Sequence, residues 1–217
     1  MAEYALARRN MVENQLRPNR ISDERVLDAM DAVPRELFLP KARRSAAYGD
    51  GEIDLGDGRS LIEPLALAKL LQAATPRPGE VALVVCCPTG YAPAVLARLC
   101  ATVFYLVPDG TDTDEIDRLM AEVGADNVVV QTGDPRDGLK SQAPFELILI
   151  PGAMSEAPPQ LIDQLGDNGR LVTVIASGRA GRVTVVQRAQ NGVGRWTPFD
   201  AQLPRLPRLE PEQAFRF

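Results

Sequence analysis

The chain of 217 residues contains no histidine. Histidine is the usual general base near neutral pH and the commonest protein ligand of metal ions, so its absence argues against both kinds of chemistry. Cysteine is also scarce, with Cys86, Cys87 and Cys100 the only three. An adjacent cysteine pair lacks the C-x-x-C spacing of metal sites, and we expect all three to be small buried side chains. The sequence therefore predicts no metal site and no disulfide framework, as is typical of a reducing cytoplasm.

Long apolar runs and strong positive charge are missing as well. No stretch approaches the roughly 18 apolar residues of a membrane span, and residues 1–16 (MAEYALARRNMVENQL) hold no apolar signal core. The net charge is −5, and lysine occurs only at positions 41, 69 and 140, the other basic residues being arginine. A mildly acidic chain is a poor match for nucleic acid, which needs a clustered positive field. These absences predict a cytoplasmic protein with no direct membrane insertion and no nucleic-acid partner.

Helical periodicity dominates residues 1–40. The first predicted helix ends near Pro18, and the second begins after an N-cap at Ser22. Their apolar faces are formed by Tyr4, Ala7, Met11, Leu16, Val26, Leu27, Met30 and Val33. Residues 48–58 are rich in Gly and Asp, which predicts a surface segment over the top of a sheet. A further amphipathic helix is predicted over residues 65–74.

From residue 81 onward, strands and helices alternate, which is typical of a mostly parallel sheet covered on both faces. The predicted strands are 81–85, 102–107, 127–131, 146–150 and 170–176, followed by an antiparallel finish at 181–187 and 194–200, and the predicted helices are 92–99, 114–123 and 159–165. The sequence therefore predicts one α/β domain over residues 1–217. Residues 1–79 form an N-terminal helical extension and cap, and residues 80–217 form a doubly wound core with a C-terminal tail.

The turn after the first of these strands has the outline of a cofactor-binding loop. Nucleotide-type cofactors bind at such turns because glycines allow close backbone approach and the following helix offers free N–H groups. Here the turn is Cys86-Cys87-Pro88-Thr89-Gly90, with one glycine where three are expected. Whether the chain binds a cofactor depends largely on this turn.

Motifs along nearly the whole chain resemble one known family, the protein-L-isoaspartate (D-aspartate) O-methyltransferases. They are MVENQLRP at 11–18, VLDAM at 26–30, VPRELFLP at 33–40, GYAPAVLA at 90–97, APFE at 143–146 and GRLV at 169–172. The resemblance implies a seven-stranded, Rossmann-like fold of the S-adenosylmethionine-dependent methyltransferase type. It also implies methylation of the abnormal carboxylate of isoaspartyl residues in damaged proteins. The tail, which ends Phe215-Arg216-Phe217, is similar to a bacterial branch of the family.

The family's cofactor motif, roughly [DE]-x-G-x-G-[ST]-G-Y, is only partly kept. Its acidic position is Val84 and its first two glycines are Cys86 and Pro88. Cysteine adds a Cβ in the space of a glycine, and proline removes a backbone donor. The position of the ribose-binding acid is Val107-Pro108, with an aspartate one or two residues late. The resemblance leaves these residues as a remnant cofactor site: Thr89, Gly90, Tyr91, Asp109 and Asp134.

The family's catalytic segment, G-Q-T-[IV]-S-Q-P, is altered in the same way. It corresponds to residues 58–64 (GRSLIEP), where Ile62 takes the position of the serine near the substrate carboxylate. Ser60 lies two residues away, on the same face of an extended segment, and is a weak substitute. Glu63 replaces a neutral glutamine and should repel an anionic substrate. No catalytic residue is therefore assigned.

Three hypotheses for the function follow. The first is a methyltransferase-like pseudoenzyme, without an expected cofactor, that acts as an accessory or interaction subunit of a protein assembly. Its contact elements would be its arginine-rich surface and the tail residues Leu203, Leu206, Leu209, Phe215 and Phe217, although the tail is as readily interpreted as a flap packed on its own domain. The alternative is an active isoaspartyl methyltransferase that uses S-adenosylmethionine. The third is a pocket altered for another small molecule, with Cys86 and Cys87 at its mouth.

Overall fold

The computed structural model describes residues 2–178 and 180–210, beginning with a helical segment. Helix α1 (Ala2–Met11) continues into a π-helical turn at Val12–Leu16, and helix α2 spans Glu24–Ala32. The predicted N-cap of α2 at Ser22 was wrong by one residue. Asp23 caps the helix by accepting a hydrogen bond from the Arg25 N–H, while the Ser22 N–H donates to the Gln72 side chain.

Two short strands and a helix complete the N-terminal part. Strand β1 (Ile53–Gly56) pairs antiparallel with β2 (Arg59–Leu61), and helix α3 (Pro64–Ala74) follows directly. The predicted surface segment at 48–58 therefore contains a strand of a small hairpin. Whether residues 1–79 act as a separate cap stays a prediction.

The main sheet follows, and its strands and helices alternate as the sequence predicts. The strands are β3 (Val81–Val85), β4 (Thr102–Val107), β5 (Val128–Thr132), β6 (Phe145–Met154), β7 (Leu165–Ser177), β8 (Ala180–Ala189) and β9 (Gly192–Asp200). The helices are α4 (Tyr91–Leu96), α5 (Thr113–Glu122) and α6 (Pro159–Ile162). Strand order is β5-β4-β3-β6-β7-β8-β9, parallel from β5 to β7 and antiparallel beyond. This confirms the predicted seven-stranded, mostly parallel α/β fold.

A buried ion pair ties α3 to the sheet. Arg170 at the start of the buried part of β7 donates to both carboxylate oxygens of Glu80 at 2.8 Å. The same guanidinium donates to the carbonyl oxygens of Ala74 and Thr75, where α3 ends. Because both charges are buried and fully hydrogen-bonded, the pair fixes how the helix meets the strand ends.

After β9 the chain turns back over the sheet as a segment that we call the strap (residues 203–210). The Ala153 N–H donates to the Pro204 carbonyl (2.8 Å) and the Leu206 N–H donates to the Ala153 carbonyl (2.9 Å). Leu206 fills the space above Gly152, where a Cβ would lie within 2.9 Å of three Leu206 carbons. Leu209 is buried. The strap therefore packs on its own domain, as the second interpretation of the tail predicts; Phe215 and Phe217 lie outside the described residues.

Candidate functional site

The turn between β3 and α4 is built on two residues with left-handed backbone conformation. Gly90 has φ 79° and caps α4, and a Cβ there would lie 2.8 Å from the Met120 side chain. Cys86 has φ 58°, a conformation that costs a residue with a side chain about 1–2 kcal/mol. The turn therefore keeps the backbone shape that glycine would adopt freely, with a thiol added to it.

The polar groups of this turn are used by the protein itself. The Tyr105 hydroxyl donates to the Cys87 carbonyl oxygen inside the core. The N–H groups of Thr89, Gly90 and Ala92 lie near the Cys87 thiol, but burial outweighs them and raises the pKa of that thiol. Burial also raises the pKa of Cys86 to about 12, so neither sulfur is a thiolate near neutral pH.

The segment that carries Ser60 and Ile62 closes over this turn. Between them lies a space of only about 10 Å³, lined by Ser60, Leu61, Ile62, Leu67, Cys87, Pro88, Thr89, Tyr91, Ala92 and Pro151. A single water molecule needs roughly 10–15 Å³. Ser60 and Ile62 both face this space, as their two-residue spacing predicts, and both are buried.

A fully buried arginine holds that segment down. Arg35 donates from Nε to the Ala47 carbonyl (2.7 Å) and from Nη2 to the Ile62 carbonyl (2.5 Å). Its guanidinium lies 4.9 Å from the centroid of the Tyr91 ring, on the first turn of α4. Burial lowers the pKa of Arg35, and its Nη1 has no hydrogen-bond partner among the described residues. Arg35 thus joins the Ile62 segment to the cofactor-type turn.

Glu63 lies at the edge of the same segment, at the N-cap position of α3, where its side chain makes no capping hydrogen bond. Its carboxylate is partly buried, and this burial is the main reason that its pKa is raised. Asp50 and Glu52 add repulsion, and Lys69 opposes it. The surface beside the Ile62 segment is therefore acidic, as expected from a glutamate in this position.

A second space lies farther along the sheet, beyond β4 and β5. Val107 ends β4 in the core, and its carbonyl accepts the Gly133 N–H (2.9 Å). Asp109 follows on an exposed turn, and Asp134 follows β5. Arg136 donates from Nε and Nη2 to the Asp134 carboxylate, and these hydrogen bonds lower the pKa of Asp134 to about 2.

The structure divides the predicted remnant site between these two spaces. Thr89 and Tyr91 line the narrow space at the turn, with Gly90 between them at the N-cap of α4, whereas Asp109 and Asp134 line a cavity of about 570 Å³. The strap supplies Arg208 and Glu210 to that cavity, and no motif in the sequence marks these two as site residues. The sequence indicates them only as two charged residues among the prolines of the tail.

The narrow turn does not fit the methionyl half of S-adenosylmethionine. The Cys86 side chain occupies the space that a glycine would leave, Pro88 lacks an N–H donor, and the space between turn and Ile62 segment holds about one water. Among the described residues there is no group of three or more acidic or cysteine side chains placed to hold a metal ion. In the same part of the chain, no helix has the length and apolar character needed to cross a bilayer.

The sheet order and the position of the turn place the chain in the class of Rossmann-like methyltransferase folds. A solved protein-L-isoaspartate O-methyltransferase superimposes with a TM-score of 0.78 at 21% identity, covering 92% of this chain and 65% of that one. A Plasmodium falciparum protein of the same description, solved with S-adenosyl-L-homocysteine, gives a TM-score of 0.76 at 21% identity over 93% of this chain and 98% of that one. These likenesses establish the fold.

The sequence comparisons establish the family. The family model for protein-L-isoaspartate(D-aspartate) O-methyltransferase matches residues 7–198. The protein-L-isoaspartate O-methyltransferase of Methylorubrum extorquens (strain PA1) is 39% identical, covering 91% of this chain and 86% of that protein. The protein of the same name from Koribacter versatilis (strain Ellin345) is 37% identical, covering 85% of this chain and 83% of that protein. The chain belongs to the protein-L-isoaspartate O-methyltransferase family, which confirms the resemblance.

Proposed function

We propose that this chain keeps the family's fold but does not transfer methyl groups, and that it acts in the cytoplasm through contacts with other proteins. The observation that carries the proposal is the closed turn between β3 and α4. Cys86 and Pro88 replace glycines there, and the space between Pro88 and the Ile62 segment measures only about 10 Å³.

The energetic consequence of this turn is large for a small cofactor. A ligand of micromolar affinity binds with about 8 kcal/mol in total. An unpaired or displaced polar contact costs roughly 1–3 kcal/mol. The missing donor at Pro88, the Cys86 side chain and the apolar Val107 at the ribose position together account for about half of the total. We therefore expect affinity for S-adenosylmethionine near the millimolar range.

The substrate side supports the same proposal. Ile62 offers no hydrogen bond at the position of the family's serine, and its backbone carbonyl is held by Arg35. Ser60 is buried beside the closed turn. The carboxylate of the partly buried Glu63 lies beside this segment, and its negative charge repels an anionic substrate.

Protein contact has a suitable surface beside this segment. An open groove of about 720 Å³ lies between α3 and the β8–β9 edge, with Glu52, Glu63, Lys69, Arg182 and Asp200 among its lining residues. Mixed charges on an accessible groove are typical of the polar rim of a protein interface. We expect a partner protein to bind there, as part of a larger assembly.

Active methyl transfer to isoaspartyl residues is the second candidate function. It is favoured by the relatives of that name at 37% and 39% identity, and by the S-adenosyl-L-homocysteine-bound Plasmodium falciparum protein of the same fold. Gly90 also keeps the left-handed conformation that opens the helix N-terminus. If this candidate is correct, the Ile62 segment must move away from the turn when the cofactor binds.

A methyl-transfer assay with labelled S-adenosylmethionine and an isoaspartyl peptide distinguishes the two candidates. We expect no transfer above background from the wild-type chain at enzyme concentrations where a relative such as the Methylorubrum extorquens protein is fully active. The double substitution Cys86→Gly with Pro88→Gly is the matched variant, because it restores the family's glycines. Wild-type turnover at a rate comparable to the relative would refute the proposal. Purification from native lysate as a lone 23.5 kDa species would count against the assembly.

A further inference from the structure

The main sheet has two edge strands, β5 at one end and β9 at the other, and they differ in how they are protected. An edge strand carries unpaired backbone groups, and proteins protect such edges with charges, prolines and bulges. Strand β9 has all three, in Arg195, Pro198 and a bulge between its pairs with Val183 and Val185. Strand β5 (VVVQT) has no charge and no proline, and its register with β4 is unbroken. The β5 edge is therefore open to a further strand.

Alternate residues of β5 direct their backbone groups away from β4. The Gly133 N–H donates to the Val107 carbonyl of β4 (2.9 Å), and in a parallel ladder every second residue makes such bonds. Val130 and Thr132 therefore direct their N–H groups outward, where neither has a hydrogen-bond partner in the described part of the chain. The outward Val130 carbonyl accepts only from its neighbour, the exposed Gln131 side chain (3.0 Å).

The two faces of β5 differ in what lies beside them. Val128 and Val130 pack on the core cluster that includes α5. Val129, on the opposite face, is 38% exposed and pairs with the partly buried Phe104 of β4. The connection from β5 to β6 contains the 3₁₀ helix Lys140–Gln142 and no α-helix. A strand added to this edge would place alternate side chains beside α5 and beside Val129.

Helix α5 and its flanks give this edge a strong negative charge. Residues 112–126 hold six carboxylates and one guanidinium, so their net charge equals the −5 of the whole chain. Arg118 and the neighbouring Arg98 both donate to backbone carbonyls of this segment. The six carboxylates are exposed and form no ion pair among the described residues; they are Asp112, Asp114, Glu115, Asp117, Glu122 and Asp126. Their common field attracts a positively charged ligand.

We propose that the β5 edge binds an extended, positively charged segment of another protein as an added strand. Its backbone pairs with the outward groups of Val130 and Thr132, its lysine or arginine side chains lie beside α5, and alternate apolar side chains lie beside Val129. A second copy of β5 is a poor partner, because it would bring two acidic helices together. This surface lies at the opposite edge of the sheet from the groove at β8–β9. The inference holds whether or not the chain transfers methyl groups.

NMR titration of the isotope-labelled full chain tests the inference with a synthetic probe. The probe is an acetylated peptide of alternating lysine and valine, Lys-Val-Lys-Val-Lys-Val-Lys. We expect the shifted backbone signals to lie in β5 and α5, with affinity falling as salt is added. The same peptide with glutamate in place of lysine tests the charge, and spermine tests positive charge without a strand. Each should bind at least about ten-fold more weakly.

Two pairs of variants separate the backbone contact from the charge. Thr132→Pro removes one outward N–H and leaves the bonds to β4 intact, and we expect about five-fold weaker peptide binding. Thr132→Val keeps the N–H and the shape and should bind as the wild type does. Asp117→Asn with Glu122→Gln should weaken binding about three-fold. Glu3→Gln with Asp28→Asn removes the same charge from α1 and α2 and should have no effect.

Several results would overturn the inference. They are equal binding of spermine or of the glutamate peptide, signals that shift in β9 instead of β5, an unaffected Thr132→Pro variant, or no lysine-peptide binding up to about 1 mM. The methyl-transfer assay has no bearing on these results, so failure of the proposed function and failure of this inference are distinguishable. Circular dichroism of each variant confirms that it is folded.

Discussion

Replacing Arg35 with methionine tests how the Ile62 segment is held against the turn. Methionine keeps the length and apolar stem of the side chain but removes its hydrogen bonds to the Ala47 and Ile62 carbonyls. A hydrogen bond to a charged group contributes about 1.5–3 kcal/mol. The Arg35 charge is buried, and no acidic side chain among the described residues forms an ion pair with it. Its removal therefore also removes a desolvation cost of the folded state, which offsets part of the loss of the two hydrogen bonds. We expect the free energy of unfolding to fall by about 3 kcal/mol.

The assays are urea denaturation, which gives the free energy of unfolding, and thermal melting, both followed by far-ultraviolet circular dichroism. In a chain of this size, 1 kcal/mol corresponds to roughly 2–4 °C in Tm, so the variant should melt about 6–12 °C lower. Arg43→Met is the matched control, because Arg43 is exposed on the 3₁₀ helix Lys41–Ala46, and its replacement should change stability by less than about 0.5 kcal/mol. A loss below 1 kcal/mol for Arg35→Met, or an equal loss for Arg43→Met, would refute the reasoning.

The other predictions concern the strap, one ion pair and the thiols. Gly152→Ala should loosen the strap, because the added Cβ meets the Leu206 side chain, and backbone hydrogen exchange in the strap should become faster. Adding Leu206→Ala should restore slow exchange by making room for that Cβ, and purely additive effects of the two substitutions would exclude this contact. Asp134 should titrate near pH 2 by NMR; its stabilising effect is present above the unfolded pKa of roughly 3.9 and is lost as pH falls through the folded value. Arg136→Gln should move this titration upward, and an unchanged midpoint would contradict the assignment. Cys86 should react slowly with a thiol reagent at pH 8 until the chain is unfolded, and rapid labelling of the native protein would show that burial does not control it.

The sheet could be predicted from sequence because its strands are buried on both faces. The predicted bounds of β3 and β4 agree with the structure to the residue, since both are unbroken, largely apolar runs, VALVV and TVFYLV, and Pro108 follows β4. Strands β6 and β7 are longer than predicted, because β6 continues through Pro151-Gly152 to Met154 and β7 begins at Leu165, before Asp167-Asn168-Gly169, and such residues indicate turns in a sequence. The hairpin β1–β2 was missed because its strands are short and half exposed, so they show no clear alternation.

The site was less predictable than the fold. The family motifs locate the turn and the Ile62 segment, and the structure brings the two together. No local pattern indicates that Arg35, in a motif far from the turn, lies against Tyr91, since that contact depends on how the N-terminal helices pack. The return of the strap was only one of two interpretations of the tail, because residues 203–210 are rich in proline and are ordered by long-range contacts with Gly152, Ala153 and Ser155.

Calorimetric titration of S-adenosyl-L-homocysteine into the wild-type chain tests most directly whether the turn has lost its cofactor. The narrow space beside Pro88 and the two replaced glycines predict a dissociation constant near the millimolar range, or no measurable heat. The Cys86→Gly, Pro88→Gly variant, titrated under the same conditions, shows whether the turn alone is responsible. A wild-type dissociation constant below about 50 μM, within the range of working enzyme ligands, would contradict the proposal and favour an active isoaspartyl methyltransferase.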